Sequence, residues 1–164
     1  MIIKKIFRKP YIFLKMPINK KVWFIVLYPI SGVGRFASLV LSLKKVFWYL
    51  GYMYENKELS IPATEDQVIL AYRISKVAQL VSKHVPWESK CLIEAIMVKT
   101  LLKYYKIPYI IHIGVKKTGQ TDKPLLAHAW VKVKDNIVVG GDGQGCKSYG
   151  INCTISSINF KQDT

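Results

Sequence analysis

Residues 91–105 read CLIEAIMVKTLLKYY, and apolar side chains occur on nearly every side of the helix that this stretch predicts. A helix of this kind is expected at the centre of a domain. Ser89 is predicted to cap its N-terminus, which places Cys91 in the first turn. There the free backbone N–H groups and the positive end of the helix dipole favour a thiolate, so Cys91 is a candidate nucleophile.

A small antiparallel sheet is predicted after this helix. Its strands are expected in apolar or alternating stretches at residues 109–115, 126–134 and 137–139. The second strand carries His128, and the third is followed by Asp142 in the run GGDG. Because residues on the two strands of a hairpin lie side by side, we expect His128 and Asp142 to touch, whereas Asp135 is expected at the hairpin tip.

The order cysteine, histidine, aspartate suits acyl chemistry at a cysteine. An imidazole must reach the sulfur, hold the thiolate and later protonate the leaving amine. A carboxylate behind the imidazole fixes its tautomer. Cys91, His128 and Asp142 are therefore the predicted catalytic residues.

A second helix is predicted upstream of the cysteine. Thr64 is expected as its N-cap, with Gln67 completing a capping box, and the helix is expected to end near Lys83. The polar stretch 55–65 before it is typical of a linker. The chain is accordingly divided into a helical amino-terminal region, residues 1–58, and a catalytic core, residues 59–164.

The amino-terminal region has two apolar stretches. The run VWFIVLYPI at 22–30 is about half of the roughly 20 apolar residues that a spanning helix needs, and Pro29 and Gly32 are expected to interrupt it. Residues 36–54 are predicted to form one amphipathic helix with Phe36, Leu39 and Leu43 on its apolar face. Two interpretations stay open: these helices pack on the core or on a partner, or they rest on an anionic membrane surface.

Composition limits the class of protein. The chain has 164 residues, of which 51% are hydrophobic, and a formal charge of +15 from 25 basic and 10 acidic residues. This supports one folded domain with a core and excludes a disordered or repeat protein. The basic excess favours an anionic partner without choosing one, and no nucleic-acid binding motif accompanies it, so we expect no nucleic-acid partner.

The remaining cysteines and histidines are predicted to be structural. The odd count of three cysteines, without CxxC spacing, favours a reduced cytoplasmic compartment and no metal or other cofactor. His112 is expected inside the sheet, His84 at a helix end, and Cys146 and Cys153 are expected to be unreactive.

The residues Trp87-Glu88-x-x-Cys91-Leu92, followed by the apolar helix, the strand residues Ile113-Gly114-Val115 and the run Ala127-His128-Ala129-Trp130-Val131, resemble the transglutaminase-like cysteine protease superfamily. Within it they are similar to the B-type maturation proteases of lasso-peptide biosynthesis, in the split form that lacks a leader-recognition domain. The resemblance implies an α+β fold with a transglutaminase- or papain-like core, in which the central helix starts at the nucleophilic cysteine and packs on a small antiparallel sheet, with the amino-terminal helices added.

The resemblance also implies a function. It predicts a leader peptidase with Cys91 as nucleophile, His128 as general base and acid, and Asp142 as the orienting residue. The implied partners are the precursor peptide, a separate leader-recognition protein and an ATP-dependent macrocyclase, in the cytoplasm or at the periphery of the membrane. Two alternatives stay open: acyl transfer to an amine, as in transglutaminases, and a non-catalytic module that binds an acidic peptide or a membrane.

Overall fold

A computed structural model describes residues 16–55, 59–117, 125–141 and 145–160. In these ranges four helices pack on a five-stranded antiparallel sheet, and the predicted α+β class is confirmed. The helices are α1 Ile18–Val40, α2 Leu43–Leu50, α3 Glu65–Ser82 and α4 Cys91–Tyr104. The strands are β1 Tyr52–Glu55, β2 Ile110–Lys117, β3 Leu125–Val133, β4 Asn136–Val139 and β5 Gly150–Ser156.

The sheet places the predicted hairpin at one edge. Its strand order is β1-β5-β2-β3-β4. The turn between β3 and β4 contains Asp135, as expected for the hairpin tip. Ala129, Val131 and Val133 of β3 belong to the core beneath the helices, and His128 alternates with them near the start of the strand.

Helix α3 follows its sequence signals closely. The side chain of Thr64 accepts a hydrogen bond from the Gln67 N–H at 3.3 Å, and the Gln67 side chain accepts one from the Thr64 N–H at 2.9 Å. The predicted capping box is therefore confirmed, as is the end of the helix at Lys83, which is the C-cap.

Helix α4 is the central helix of the fold. It contacts α1, α3, β3 and β4, and eight of its 14 residues are buried. The prediction that Ser89 caps it is wrong, because the N-cap is Lys90 and its side chain makes no capping bond. The Ser89 hydroxyl lies instead 3.0 Å from the Ser82 hydroxyl at the end of α3, so tertiary contact replaces the local cap.

The predicted interruption at Pro29 and Gly32 does not occur. Helix α1 runs through both residues, although an internal proline costs about 3 kcal/mol. Tertiary packing offsets this cost, because Trp23 and Leu27 are buried on one side of α1. With 23 residues α1 is long and apolar enough to cross a membrane by length and composition alone, a criterion that core helices and signal sequences also meet. Its contacts with α3 and α4 make it part of the folded domain.

The single amphipathic helix predicted for 36–54 is also wrong. The chain leaves α1 at Leu41, forms α2, and turns at Gly51 into β1. Gly51 has φ 155°, and a Cβ there would clash with the Ser156 carbonyl oxygen. Strand β1 pairs with β5, about a hundred residues later in the chain, a partner that helical spacing cannot reveal.

Truncating Leu27 tests whether α1 is an integral part of this domain. Leu27 has no exposed surface, so Leu27→Ala should lower the free energy of unfolding by about 2–5 kcal/mol. Val26→Ala is the matched control, because the neighbouring Val26 is exposed on the same helix. Urea unfolding measures both variants. Equal, small effects would contradict the packing of α1 on the core.

Candidate active site

Cys91 is the first residue of α4, as predicted, and its side chain is half-buried. The N–H groups of Ile93 and Glu94 bond to the carbonyl oxygen of Lys90 at 2.8 and 3.1 Å. The N–H groups of Cys91 and Leu92 have no partner within the described ranges. Two backbone donors and the positive end of the helix dipole therefore lie beside the thiol, an arrangement suited to a thiolate or an oxyanion.

The loop that leads to Cys91 is held by α1. The Trp87 indole N–H donates to the Ser31 hydroxyl at 3.2 Å, and its ring meets Tyr28 edge-on with centroids 5.6 Å apart. Gly32 leaves room for this ring, since a Cβ there would lie 3.1 Å from Trp87. The α1 residues therefore fix the chain four residues before the nucleophile.

A cluster of two ion pairs holds the same loop in place. Glu88 accepts from Arg35 of α1 at 3.1 Å and pairs with Lys90 at 2.6 Å. The bond and charge of Lys90, and then the charge of Arg35, hold the pKa of Glu88 below its usual range. Because the cluster is exposed to solvent, it orients the loop before Cys91 but adds little to the free energy of unfolding.

His128 lies near the start of β3 with its ring between two aromatic side chains. The centroid of the imidazole is 6.0 Å from that of Trp130 and 5.2 Å from that of Tyr149. Nε2 is 2.6 Å from the carbonyl oxygen of Gly140. Because a carbonyl oxygen can only accept, Nε2 carries the proton, and in the neutral ring Nδ1 holds the lone pair. Nδ1 is therefore the nitrogen that can act as a base.

The structure brings the predicted residues to neighbouring elements without completing a catalytic triad. Helix α4, which begins at Cys91, packs against β3, which carries His128. Among the described residues no hydrogen bond joins the Cys91 thiol to the His128 imidazole. Asp142 lies outside the described residues, and Gly140, which does contact His128, precedes it by two positions. The assignment of Asp142 stays a prediction.

Glu94 is a site residue that sequence reasoning missed. It lies one turn after Cys91 on α4, and burial raises the pKa of its carboxyl group. A hydrogen bond from Ser82 and the charges of Lys83 and His128 act in the opposite direction. Glu94 and His128 are therefore close enough to interact electrostatically. The available signal was the i, i+3 spacing from Cys91, which places both residues on one side of the helix.

Cys146 shares a backbone acceptor with the His128 imidazole. Its Sγ donates to the carbonyl oxygen of Gly140 at 3.3 Å, the same atom that faces His128 Nε2. Cys153 is buried in β5, where desolvation raises the pKa of its thiol and opposes reactivity. Sequence spacing did not predict the contact of Cys146 with Gly140, because the short 3-10 helix Gly145–Ser148 brings Cys146 back to the end of the strand.

The other two histidines have structural partners, as predicted. His112 is buried in β2 with Nδ1 3.0 Å from the Thr154 hydroxyl, and His84 Nδ1 lies 2.7 Å from the Leu80 carbonyl oxygen at the end of α3. In the part of the chain that the structure describes, no three His, Cys, Asp or Glu side chains are grouped so that they could hold a metal ion.

Comparison with known proteins identifies the family. The model of the transglutaminase-like superfamily matches residues 37–153, which include α4, the whole β3–β4 hairpin and most of β5. The chain therefore belongs to the transglutaminase-like superfamily. Neither the comparison with curated proteins nor that with solved structures gives a match.

The raised pKa of Glu94 predicts how its removal changes stability with pH. A folded-state pKa above the unfolded value means that ionisation of Glu94 costs stability as the pH rises through the folded pKa. The melting temperature of Glu94→Gln, relative to that of the wild type, should therefore be higher at pH 7.5 than at pH 4. Thermal unfolding at both pH values measures this difference.

Glu88→Gln is the control for this comparison and should behave in the opposite way. The pKa of Glu88 is lowered, so its ionised form adds a small stabilisation at neutral pH, limited by its exposure to solvent, that is lost in acid. A shift of the same sign in both variants would contradict the buried environment assigned to Glu94.

Proposed function

We propose that this chain is a cysteine peptidase that removes the leader from a ribosomally made lasso-peptide precursor. The observation that carries the proposal is Cys91 at the open N-terminus of the central helix, with two free backbone donors, next to the strand of His128. Membership of the superfamily is compatible with a cysteine peptidase and with acyl transfer. The motifs around Trp87, Cys91 and His128 favour the peptidase.

The proposed reaction starts with attack of the Cys91 thiolate on the scissile carbonyl carbon. A sulfur–carbon bond forms, and the negative oxygen is held by the N–H groups of Cys91 and Leu92. The C–N bond then breaks as the protonated imidazole of His128 gives its proton to the departing amine. Water, deprotonated by His128, hydrolyses the thioester and releases the carboxylate of the leader and the free thiol.

This reaction requires His128 Nδ1 to meet the Cys91 sulfur. Nε2 is already engaged by Gly140, so the remaining nitrogen is the one with a lone pair. Asp142 is proposed to approach the Nε2 side and to stabilise the imidazolium. Glu94 adds a second negative group near the imidazole from α4.

The pathway and partners are proposed from the resemblance. Removal of the leader frees the amine of the core peptide for an ATP-dependent macrocyclase, and a separate recognition protein delivers the leader. The proposed compartment is the cytoplasm. The exposed apolar residues on α1 and the +15 charge support contact with the periphery of an anionic membrane.

Alkylation tests the Cys91–His128 pair without a substrate. If the imidazole stabilises the thiolate, iodoacetamide should modify Cys91 at pH 6 faster than Cys146 or free cysteine. His128→Ala should slow modification of Cys91 by about tenfold or more at that pH and much less at pH 9, where a thiol ionises without help. Peptide mapping by mass spectrometry gives the rate at each thiol. A Cys91 rate equal to that of free cysteine would contradict the pair.

Cleavage of a candidate lasso precursor tests the reaction itself. The protein is incubated with the precursor and its leader-binding partner, and the products are weighed by mass spectrometry. Cys91→Ala should abolish the leader fragment, and His128→Ala should reduce the rate by orders of magnitude. Cys146→Ala is the matched control, because it removes the other thiol near His128, and it should retain cleavage.

Three results would reject the proposal in different ways. Turnover by Cys91→Ala would exclude Cys91 as nucleophile. An amine-trapped product in place of free leader acid would establish acyl transfer. Bound leader without any product, from a folded protein, would establish a binding module.

A further inference from the structure

A large cleft lies at the end of α4 opposite to Cys91. Its volume is about 1030 Å³, and its walls come from α2, β1, the last turns of α4 and the segment that follows β5. Lys99, the nearest α4 residue that lines it, is eight positions after Cys91, or about 12 Å along the helix axis. The cleft is therefore separate from the candidate active site.

Three lysines line this cleft: Lys99, Lys103 and Lys106. No aspartate or glutamate is found among the described residues of its wall. Lys99 and Lys103 are one turn apart on α4, so their side chains extend from the same side of the helix. Within the described part of the chain, the cleft wall therefore carries three lysines and no acidic side chain.

Lys99 is the most informative of these lysines because it is buried. Only 4% of its surface is exposed, and its ammonium group donates to the Tyr49 carbonyl oxygen at 2.9 Å and lies 3.6 Å from the centre of the Tyr49 ring. Both partners are neutral. Burial, and then the charge of Lys103, lower the pKa of Lys99 to about 8. A carboxylate beside this ammonium group would favour its charged form and add a charged partner to the two neutral ones.

The remaining wall suits an extended chain better than a small anion. Trp48, Tyr52 and Met53 line the cleft, and each is substantially exposed, Trp48 to 81%. Strand β1 is at the edge of the sheet, where an added strand can pair with it. Aromatic surface and an edge strand bind peptides, whereas a phosphate ion would fill only a small part of this volume.

The spacing of the lysines agrees with the spacing of side chains in a strand. Four residues of helix separate Lys99 from Lys103 by about 6 Å along the axis. Two residues of an extended chain cover about 6.5 Å, and side chains two apart point to the same side. Two carboxylates at positions i and i+2 of an extended peptide can therefore face both lysines.

We propose that this cleft binds an extended acidic peptide, with carboxylates two residues apart paired to Lys99 and Lys103 and apolar side chains packed on Trp48 and Tyr52. The proposal goes beyond the peptidase function and does not depend on Cys91. The occupant is an extended acidic segment of a partner protein, recognised by charge pattern and extended shape.

The test is fluorescence anisotropy of the full chain with a labelled ten-residue peptide in which Glu alternates with Val and Phe. Lys99→Met keeps the buried stem and removes the charge, and Lys103→Gln changes an exposed residue that the fold does not need. Each should weaken binding about tenfold at 150 mM salt, equivalent to about 1.4 kcal/mol. Lys76→Gln is the matched control: it removes one exposed charge from α3, outside the cleft, and should leave the affinity within about twofold.

A second peptide with Gln in place of Glu should bind at least about tenfold more weakly than the acidic one. The affinity of the wild type for the acidic peptide should also fall as the pH rises through 8, and this fall should be absent in Lys99→Met. Four other titratable residues face the cleft: Lys103, Lys106, Tyr49 and Tyr109. Because the wild type and Lys99→Met both contain them, the difference between their profiles of affinity against pH reports Lys99.

Several outcomes would overturn the proposal. Equal weakening by Lys76→Gln would show that the net charge of the chain, and not the cleft, causes the binding. Equal affinity for the Gln peptide would remove the role of the carboxylates. Binding of inorganic phosphate that depends on Lys99, without binding of the peptide, would assign the cleft to a small anion. Thermal unfolding of each variant keeps a loss of binding distinct from a loss of fold.

Discussion

The need to cover α4 on every side organises this domain. The helix is apolar almost all round, so one sheet face cannot bury it, and α1 and α3 complete the cover from the other side. Only the two ends of α4 remain accessible. Half-buried Cys91 at the first end and exposed Lys103 at the last are therefore accessible, whereas most of the residues between them are buried.

The cover has a consequence for the amino-terminal region. Helix α1 contributes the Trp87 contacts and the Arg35–Glu88 pair as well as apolar burial, so it fixes the loop from which Cys91 extends. The amino-terminal region thus supports the geometry of the nucleophile. Tertiary packing also explains why α1 tolerates Pro29, since the buried stripe of the helix supplies stability that local propensity does not.

The elements that the sequence predicted correctly are those specified by neighbours in the chain. The Thr64–Gln67 capping box, the helical spacing of α4 and the alternation in β3 each depend on residues a few positions apart. Strand β1 was missed because its partner in β5 is distant in sequence. Cys91 at a helix start and His128 on a strand were predictable in the same local way, whereas the burial of Glu94 and the approach of Cys146 to Gly140 depend on tertiary contacts.

The dipole of α4 links the two proposed sites. Its positive end lies beside Cys91, where the backbone N–H groups suit an oxyanion, and its negative end lies beside Lys103. Lys103 is 12 positions after Cys91, about 18 Å along the axis, and the packed helices and sheet block the direct path between them. A peptide held in the lysine cleft by its acidic residues therefore binds apart from the thiol. Recognition at one end of the helix and chemistry at the other can accordingly change independently of each other.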